Sequence, residues 1–506
     1  MTPNPVTTPL TRPDELTPST YDIAVLSLID GPQRSARVQW LIDRRTTPLT
    51  WGAPPGTSWY DAYLSTYAAA LALHHAGERT LAEPALAALP TLVPETPGEA
   101  LETLTFGGLV DALDRFAHHT GRPVPAHPAP VRSVIARERE KWRRMRAWDH
   151  FLDPDRSIAG YCAERVYGDE AVDAAAFLEA FQVPNGSLAN APAASALFLL
   201  HTEHFEVKAP APLLDRLRDY LHSRPTLTPY LDWVPHFTTA WTTMFEHEAR
   251  TARTVTRAET DALCTDLRHP SGLLCAVGTV GGGLAIPGDS DTTSCAMLAA
   301  HHLGREIPGT ENLDPLYAPD QGCYRTYRFE HDASITTNIH VAAVLALEER
   351  HERLTEVLRW LDRTTTRGRP LCKWHLSPHY PDGELARVTA RIDHPLARSL
   401  CRQATRNLLA TQNPDGGWGL HGSTAEETGY AVHGLATAAR THAPTPRIDE
   451  ALDRAHTHLT AHRPEHRALW LGKTLYCLRP LVPVLHHTAL ARIERPDGPG
   501  RPAPRA

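Results

Sequence analysis

The chain has 506 residues, 42% of them apolar and 22% charged, the composition of a globular enzyme with a large interior and two to three domains by length. A net charge of −7 with a pI near 6.5 excludes a nucleic-acid role, because phosphate contacts need clustered Lys and Arg. The eight cysteines occur without a Cys-x-x-Cys pair, which is reduced, intracellular usage with no zinc knuckle. No run approaches the roughly 18 apolar residues of a membrane span. Met1–Pro5 lacks the basic and apolar segments of a secretory leader, so a cytoplasmic protein is expected. The 29 histidines are scattered, and the four lysines are Lys141, Lys208, Lys373 and Lys473.

In chain order, helical patterns run over residues 61–73, 108–118, 171–181, 193–201, 212–222, 294–303, 337–349 and 398–411, and strand alternation is hard to find. Asp111 and Asp114 stand at helical spacing and read as a solvated face, and the Arg137–Arg144 stretch reads first as an exposed charged helix. Arg122–Pro130 is a proline-rich loop, and Pro496–Ala506 has the composition of a disordered tail. Turn glycines recur at Gly272, Gly322, Gly368 and Gly416. A period near 48 residues with about two helices per unit predicts a helical-repeat or toroidal, all-α architecture.

Four polar clusters interrupt these helices. Pro287-Gly288-Asp289-Ser290-Asp291-Thr292-Thr293-Ser294 puts two carboxylates one residue apart where an apolar helix opens. Two like charges this close cannot both ionise freely, so one can hold a proton. The plainer reading is an N-cap, for which Asp, Ser and Thr are the usual residues. Gly281-Gly282-Gly283 lies just upstream. Ser334-Ile335-Thr336-Thr337-Asn338-Ile339-His340-Val341 follows, with Ser334 and Asn338 on one helix face and able to bond one buried carboxyl. Lys373-Trp374-His375-Leu376-Ser377-Pro378-His379-Tyr380 sets a cation beside aromatic rings, and Asn413-Pro414-Asp415-Gly416-Gly417-Trp418-Gly419 precedes Glu426-Glu427.

Together these clusters resemble the class II terpene cyclases, whose motifs read Asp-x-Asp-Asp-Thr-Ala, Ser-x-x-Thr-Asn-x-His, Lys-Trp-His-x-Ser-Pro-x-Tyr and Gly-Gly-Trp-Gly. Ser19-Thr20-Tyr21-Asp22-Ile23-Ala24 and Gly186-Ser187 with Ala191–Ala196 extend the resemblance over nearly the whole chain. The third acid is Thr292 here, a variant that resembles the drimenyl diphosphate synthases of bacteria. Phe106-Gly107 stands where the family often has Phe-Glu, so a magnesium contact is not evident and the metal ligands are unknown.

The resemblance implies two α/α barrels: a catalytic one formed by residues 1–44 and 246–506, and a second inserted at 45–245. It implies Asp291 as the proton donor to an alkene, Asp289 as its tuner, and Asn338 with Ser334 as the groups orienting the carboxyl. A donor to an unactivated alkene needs a dry site in which its conjugate base is stabilised. The carbocation would rest on aromatic faces, for which Trp374, Trp418, Tyr380, Trp233 and Tyr230 are candidates; each of these rings could equally be core packing. Lys373 and Lys141 would anchor the diphosphate, with Mg2+ neutralising it. No Asp-Asp-x-x-Asp cluster suggests ionisation of the diphosphate. The expected reaction is farnesyl diphosphate to bicyclic drimenyl diphosphate, an isoprenoid diphosphate consumed downstream by a phosphatase or class I enzyme. The alternatives are a diterpene cyclase making a copalyl-type diphosphate from geranylgeranyl diphosphate, and a non-catalytic α/α-barrel interaction protein. A squalene-type triterpene cyclase is a weaker reading, since the chain is short for that group.

Overall fold

The computed structural model describes residues 16–94 and 106–494, apart from positions 270, 278, 281, 282, 285, 331, 367, 443 and 444. The N-terminal leader reading, the Pro496–Ala506 tail and Gly281-Gly282 lie outside the described residues. The described chain is helical apart from three two-stranded antiparallel hairpins, Thr279–Val280 with Gly283–Leu284, Tyr317–Ala318 with Cys323–Tyr324, and Trp470–Leu471 with Leu475–Tyr476. No helix among the described residues is long and apolar enough to cross a membrane.

Two compact units emerge. The first comprises Met1–Val234, Thr279–Pro287 and Trp470–Cys477; the second comprises Pro235–Gly278, Gly288–Leu469 and Leu478–Ala506. The sequence reading assigned residues 1–44 to the catalytic barrel, whereas the described residues 16–44 cluster with the first unit. The first of the two helices they carry, Thr20–Leu26, is buried against helices of that unit.

The first unit contains α1 (Thr20–Leu26), α2 (Arg34–Asp43), α3 (Trp59–His75), α4 (Arg79–Ala88), α5 (Phe106–His119), α6 (Ala129–Arg146), α7 (Ala174–Phe181), α8 (Pro192–His204) and α9 (Ala211–Ser223). Here α1, α3, α5, the 3₁₀ turn Ala163–Val166 and α8 pack in cyclic order, with α8 returning to α1. The inner helices α3 and α8 are apolar nearly all round and buried nearly all round, as an enclosed helix must be.

In the second unit lie α10 (Pro235–Ala249), α11 (Arg257–Asp266), α12 (Ser290–His302), α13 (Ile335–Leu347), α14 (His351–Thr366), α15 (His379–Thr389), α16 (Pro395–Ala410), α17 (Ala425–His442), α18 (Pro446–Ala461) and α19 (Leu481–Glu494). Six of these close a ring, α10 on α12, then α13, α15, α17 and α19, which returns to α10. The outer helices carry a single apolar stripe each. On α14 it is Leu354, Val357, Leu358 and Leu361, and on α16 it is Ala397, Leu400, Cys401, Ala404 and Leu408. Those i, i+3, i+4, i+7 spacings place one face of each helix on the inner ring. This is the α/α barrel architecture that the sequence led us to expect.

Local chemistry sets the helix ends. Thr256 and Glu259 form a capping box on α11. Ser58, Asp173 and Ser334 each accept a backbone N–H at an N-terminus. Gly272, Gly322, Gly368 and Gly416 all have positive φ, which explains why glycine recurs at these turns.

Two sequence expectations are corrected here. Asp111 is buried in ion pairs with Arg115 and Arg139, and Asp114 accepts hydrogen bonds from Tyr67 and His127, so neither belongs to a solvated face. α5 is flanked by α3 and α6, and its acids are neutralised between helices. α6 is likewise not simply exposed, because Glu138, Lys141 and Trp142 turn inward.

Candidate active site

The paired acids stand at the mouth of α12. Gly288 precedes them because a Cβ there would lie 2.4 Å from the Leu273 side chain. Asp289 is the N-cap of the helix: its Oδ1 accepts the Thr292 N–H at 2.6 Å, and its own N–H donates to the Leu274 carbonyl at 2.9 Å. Ser290 ties the same turn to a neighbouring loop, donating from N and Oγ to the carbonyls of Thr326 and Arg325. The N-cap reading and the paired-acid reading are therefore both true of this turn.

The two carboxyls have different surroundings. Asp289 is 2% exposed, and its Oδ2 has no hydrogen-bond partner. Burial pushes its carboxyl up to about 8 against the pull of the Thr292 N–H, and the Asp291 charge acts in the same direction as burial. Asp291 lies in the first helical turn, where the helix dipole favours a negative charge. Its Oδ1 is 2.6 Å from His340 Nδ1, and a tenth of its side chain remains exposed.

His340, on α13, is fully buried and bonded on both sides: its Nε2 meets Glu384 Oε2 at 3.0 Å. A neutral imidazole has one donor and one acceptor, whereas ionised carboxylates only accept. Two flanking carboxylates therefore favour the imidazolium. Burial alone would lower the His340 pKa, but its contacts with Cys295 and Asp291 raise it well above its ordinary value. Trp241 from α10 stands edge-on to the imidazole at 5.5 Å.

Glu384 lies on α15 and is doubly held by Arg387, one turn along the same helix, through Nε at 3.0 Å and through Nη2. Burial pushes the Glu384 carboxyl up, but the Arg387 charge and the His340 and Arg387 bonds overcome it and hold it down at about 2. Arg387 in turn pairs with Glu248 of α10, which also receives Arg391 at 2.6 Å. A buried chain of hydrogen bonds and ion pairs thus runs from Asp291 through His340, Glu384 and Arg387 to Glu248.

Asp291, Cys295 and His340 bring potential ligand atoms within 4.8 Å of one another. Both imidazole nitrogens already serve carboxylates, and burial pushes the Cys295 thiol up to about 12, so the trio is a hydrogen-bonded acid site and not a metal cage.

Several expected roles are relocated. Asn338 does not meet Asp291: it accepts the Tyr324 N–H and donates to the carbonyls of Tyr324 and Ser334. Ser334 caps α13 and contacts Thr336. These two hold the backbone that carries His340, and His340 itself makes the contact expected of them. Lys373 is 2% exposed and committed to Glu330 Oε2 at 2.8 Å and the Asp332 carbonyl at 2.7 Å, so the expected diphosphate anchor is already engaged. Lys141 belongs to the first unit, 3.9 Å from Glu138. Trp374 donates to Thr326 Oγ1 at 3.2 Å, and Thr326 also meets Thr337 at the start of α13. Tyr380 is fully buried beside His375 and Tyr430 and receives the Trp241 indole N–H. Trp418 is fully buried and donates to the Leu408 carbonyl, so its task is to hold a turn. Trp233 and Tyr230 belong to the first unit, with Tyr230 packed against Tyr476.

Sequence reasoning quoted His340 but gave it no role, and it passed over Glu384 and Arg387. The available signal was a Glu and an Arg three residues apart in a helix of otherwise buried residues.

No family model matches the chain. Among curated proteins it is 30% identical over 516 residues to a labda-7,13-dienyl diphosphate synthase of Streptomyces clavuligerus, covering 92% of this chain and 87% of that one. It is 26% identical to a type B diterpene cyclase of Mycobacterium tuberculosis, over 93% and 94% of the two chains. Among solved structures, an ent-copalyl diphosphate synthase from Streptomyces platensis superposes with a TM-score of 0.76 at 22% identity, covering 97% of each chain, which establishes the shared fold. With a relative of 30% identity along nine-tenths of its length, and with the paired acids at the mouth of a barrel helix, this chain belongs to the class II terpene cyclases.

Proposed function

We propose that Asp291 starts cyclisation by delivering a proton to the terminal alkene of geranylgeranyl diphosphate, giving a bicyclic copalyl- or labdane-type product that keeps its diphosphate. The observation that carries the proton-donor role is the Asp291 carboxyl held at 2.6 Å by an imidazole clamped between two acids. A protonated Asp291 that accepts a hydrogen bond from an imidazolium loses its remaining proton more readily, because the carboxylate left behind gains a charge-assisted bond. The first turn of α12 stabilises that same carboxylate through its dipole. Asp289, neutral in its buried cap, adds no opposing charge beside the donor at neutral pH.

The twenty-carbon substrate is supported by the names of the relatives, which are diterpene cyclases or labdane- and copalyl-type diphosphate synthases. The farnesyl reading rests on one residue, the buried Thr292 in the position of the motif's third acid, and stands second. For magnesium, the described residues hold no group of three carboxylates within reach of one ion, so the diphosphate oxygens would supply part of its coordination.

Incubation with each diphosphate, with mass spectrometry before any phosphatase is added, tests the reading. The expected product is an isomer of geranylgeranyl diphosphate at unchanged mass. A larger specificity constant for farnesyl diphosphate would install the second reading. Turnover of neither, together with an Asp291→Asn variant indistinguishable from wild type, would support a non-catalytic protein.

A further inference from the structure

We infer that Glu384, fixed by Arg387 and Glu248, is a positioning residue that holds His340 as an imidazolium and thereby sets the acidity of Asp291. The inference rests on the proton-donor role of Asp291 and adds a second tier to it. His340 Nε2 points at Glu384 Oε2, so the ring's far nitrogen is a donor in every protonation state in which Glu384 is ionised. The near nitrogen is then the only site where the charge state can change, and it faces Asp291.

The chain beyond Glu384 keeps that carboxylate ionised. Arg387 grips both Glu384 oxygens, and it is aimed by Glu248, whose side chain is 2% exposed. Removing one member of such a buried set leaves its partner uncompensated, which is why the arrangement is stiff. Among the described residues, the charged or titratable groups facing His340 are few. Asp291 and Cys295 come from α12, and Glu384 comes from α15. Tyr380 of α15 lies near the same groups with its hydroxyl kept neutral by burial, and α10 sets the edge of Trp241 against the ring. No hydrogen-bonding group of α14 reaches the ring among the described residues. Glu384 touches no reacting atom in this scheme and acts only through the imidazole.

The sign of the pH effect follows. Turnover needs a proton on both Asp291 and His340, so the alkaline limb of the rate profile belongs to the loss of the first of those protons from the pair. A nearby carboxylate raises that limb and its removal lowers it.

The test is the single-turnover rate of the full-length protein from pH 5 to 10, using geranylgeranyl diphosphate or whichever isoprenoid diphosphate it turns over. Glu384→Gln keeps the shape and an acceptor for the imidazole but removes the charge. Its alkaline limb should move down by at least about one unit, a tenfold loss on the alkaline side of the wild-type limb that is recovered well below it. Glu384→Asp, which retains the charge, should leave the limb within about half a unit of wild type. A Glu384→Asp limb displaced by a full unit or more overturns the inference whether or not the Gln variant folds. So does a Gln variant that loses the same factor at every pH, the mark of a purely structural role. An inactive Asp291→Asn together with an unshifted Glu384→Gln profile would retain the donor and discard only this second tier; an active Asp291→Asn would discard the donor itself.

Discussion

The turns 182–188 and 412–418, one in each unit, are built alike almost bond for bond. Gln182 Nε2 donates to the carbonyls of Gly186 and Leu213 at 3.0 and 2.8 Å; Gln412 Nε2 donates to those of Gly416 and Ala451 at 2.7 and 2.8 Å. Gly186 and Gly416 have φ of +94° and +89°, and a Cβ on either would lie 2.5 Å from a helix carbonyl, that of Arg216 or Arg454. Leu188 N–H reaches Ser195 Oγ and Trp418 N–H reaches Thr428 Oγ1, both at 2.9 Å. The scaffold is therefore used twice, and the difference lies in which charges each unit buries. In the first, two of the acids are spent on structure. Glu164 is sealed against Lys473 at 2.6 Å with neither side chain exposed, and Asp61 accepts the N–H groups of Ala53 and Leu475. In the second, Asp291 meets an imidazole and keeps part of its surface accessible. Chemistry follows from that accessible, imidazole-bound acid, because a sealed ion pair has no proton to deliver.

The contrast can be broken most sharply at the acids. Asp291→Asn should lower turnover by about 10⁴-fold, since it removes the transferable proton while preserving volume, with circular dichroism unchanged. Asp22→Asn, at a buried acid of the first unit, should stay within about threefold of wild type in turnover. Lys473→Met leaves Glu164 buried without a countercharge and should cost about 3–5 kcal/mol in urea unfolding, with activity per folded molecule retained.

Asp22 also gives the first unit a pH signature. Burial pushes its carboxyl up to about 7, so the folded state holds a proton that the unfolded chain releases near 4. Stability should then decline as pH rises from about 4 to 7, by a few kcal/mol, and Asp22→Asn should flatten that slope in thermal melts. Smaller still are the turn glycines. Gly186→Ala and Gly416→Ala should each cost about 1–3 kcal/mol, through backbone strain and the carbonyl contact. Equal costs would confirm that the two turns are equivalent, and a cost at only one would break the comparison. Trp418→Phe should cost about 1 kcal/mol for the lost bond to Leu408, and Trp51→Phe, whose indole donates to Leu41 in the same way, should match it.

Much of the architecture was legible in the chain because it depends on local chemistry. Glycine at turns of positive φ, apolar stripes at helical spacing, and Asp289 and Ser334 at helix starts are all short-range requirements. They announce an all-α barrel protein and point to the mouth of α12. Which partner each polar side chain would find could not be read that way. Asn338 and His340 stand two apart in one cluster, yet the turn of α13 sends Asn338 to the Tyr324 backbone and His340 to Asp291. Lys373 looked like a free cation until Glu330, 43 positions earlier, met it in the interior. Glu384 and Glu248 are separated by 136 residues, and only the closed ring of helices brings them onto one arginine. Sequence determined the elements and the acid pair; tertiary packing decided the charge states, because a pKa depends on which distant groups share a site with the carboxyl once water has been excluded.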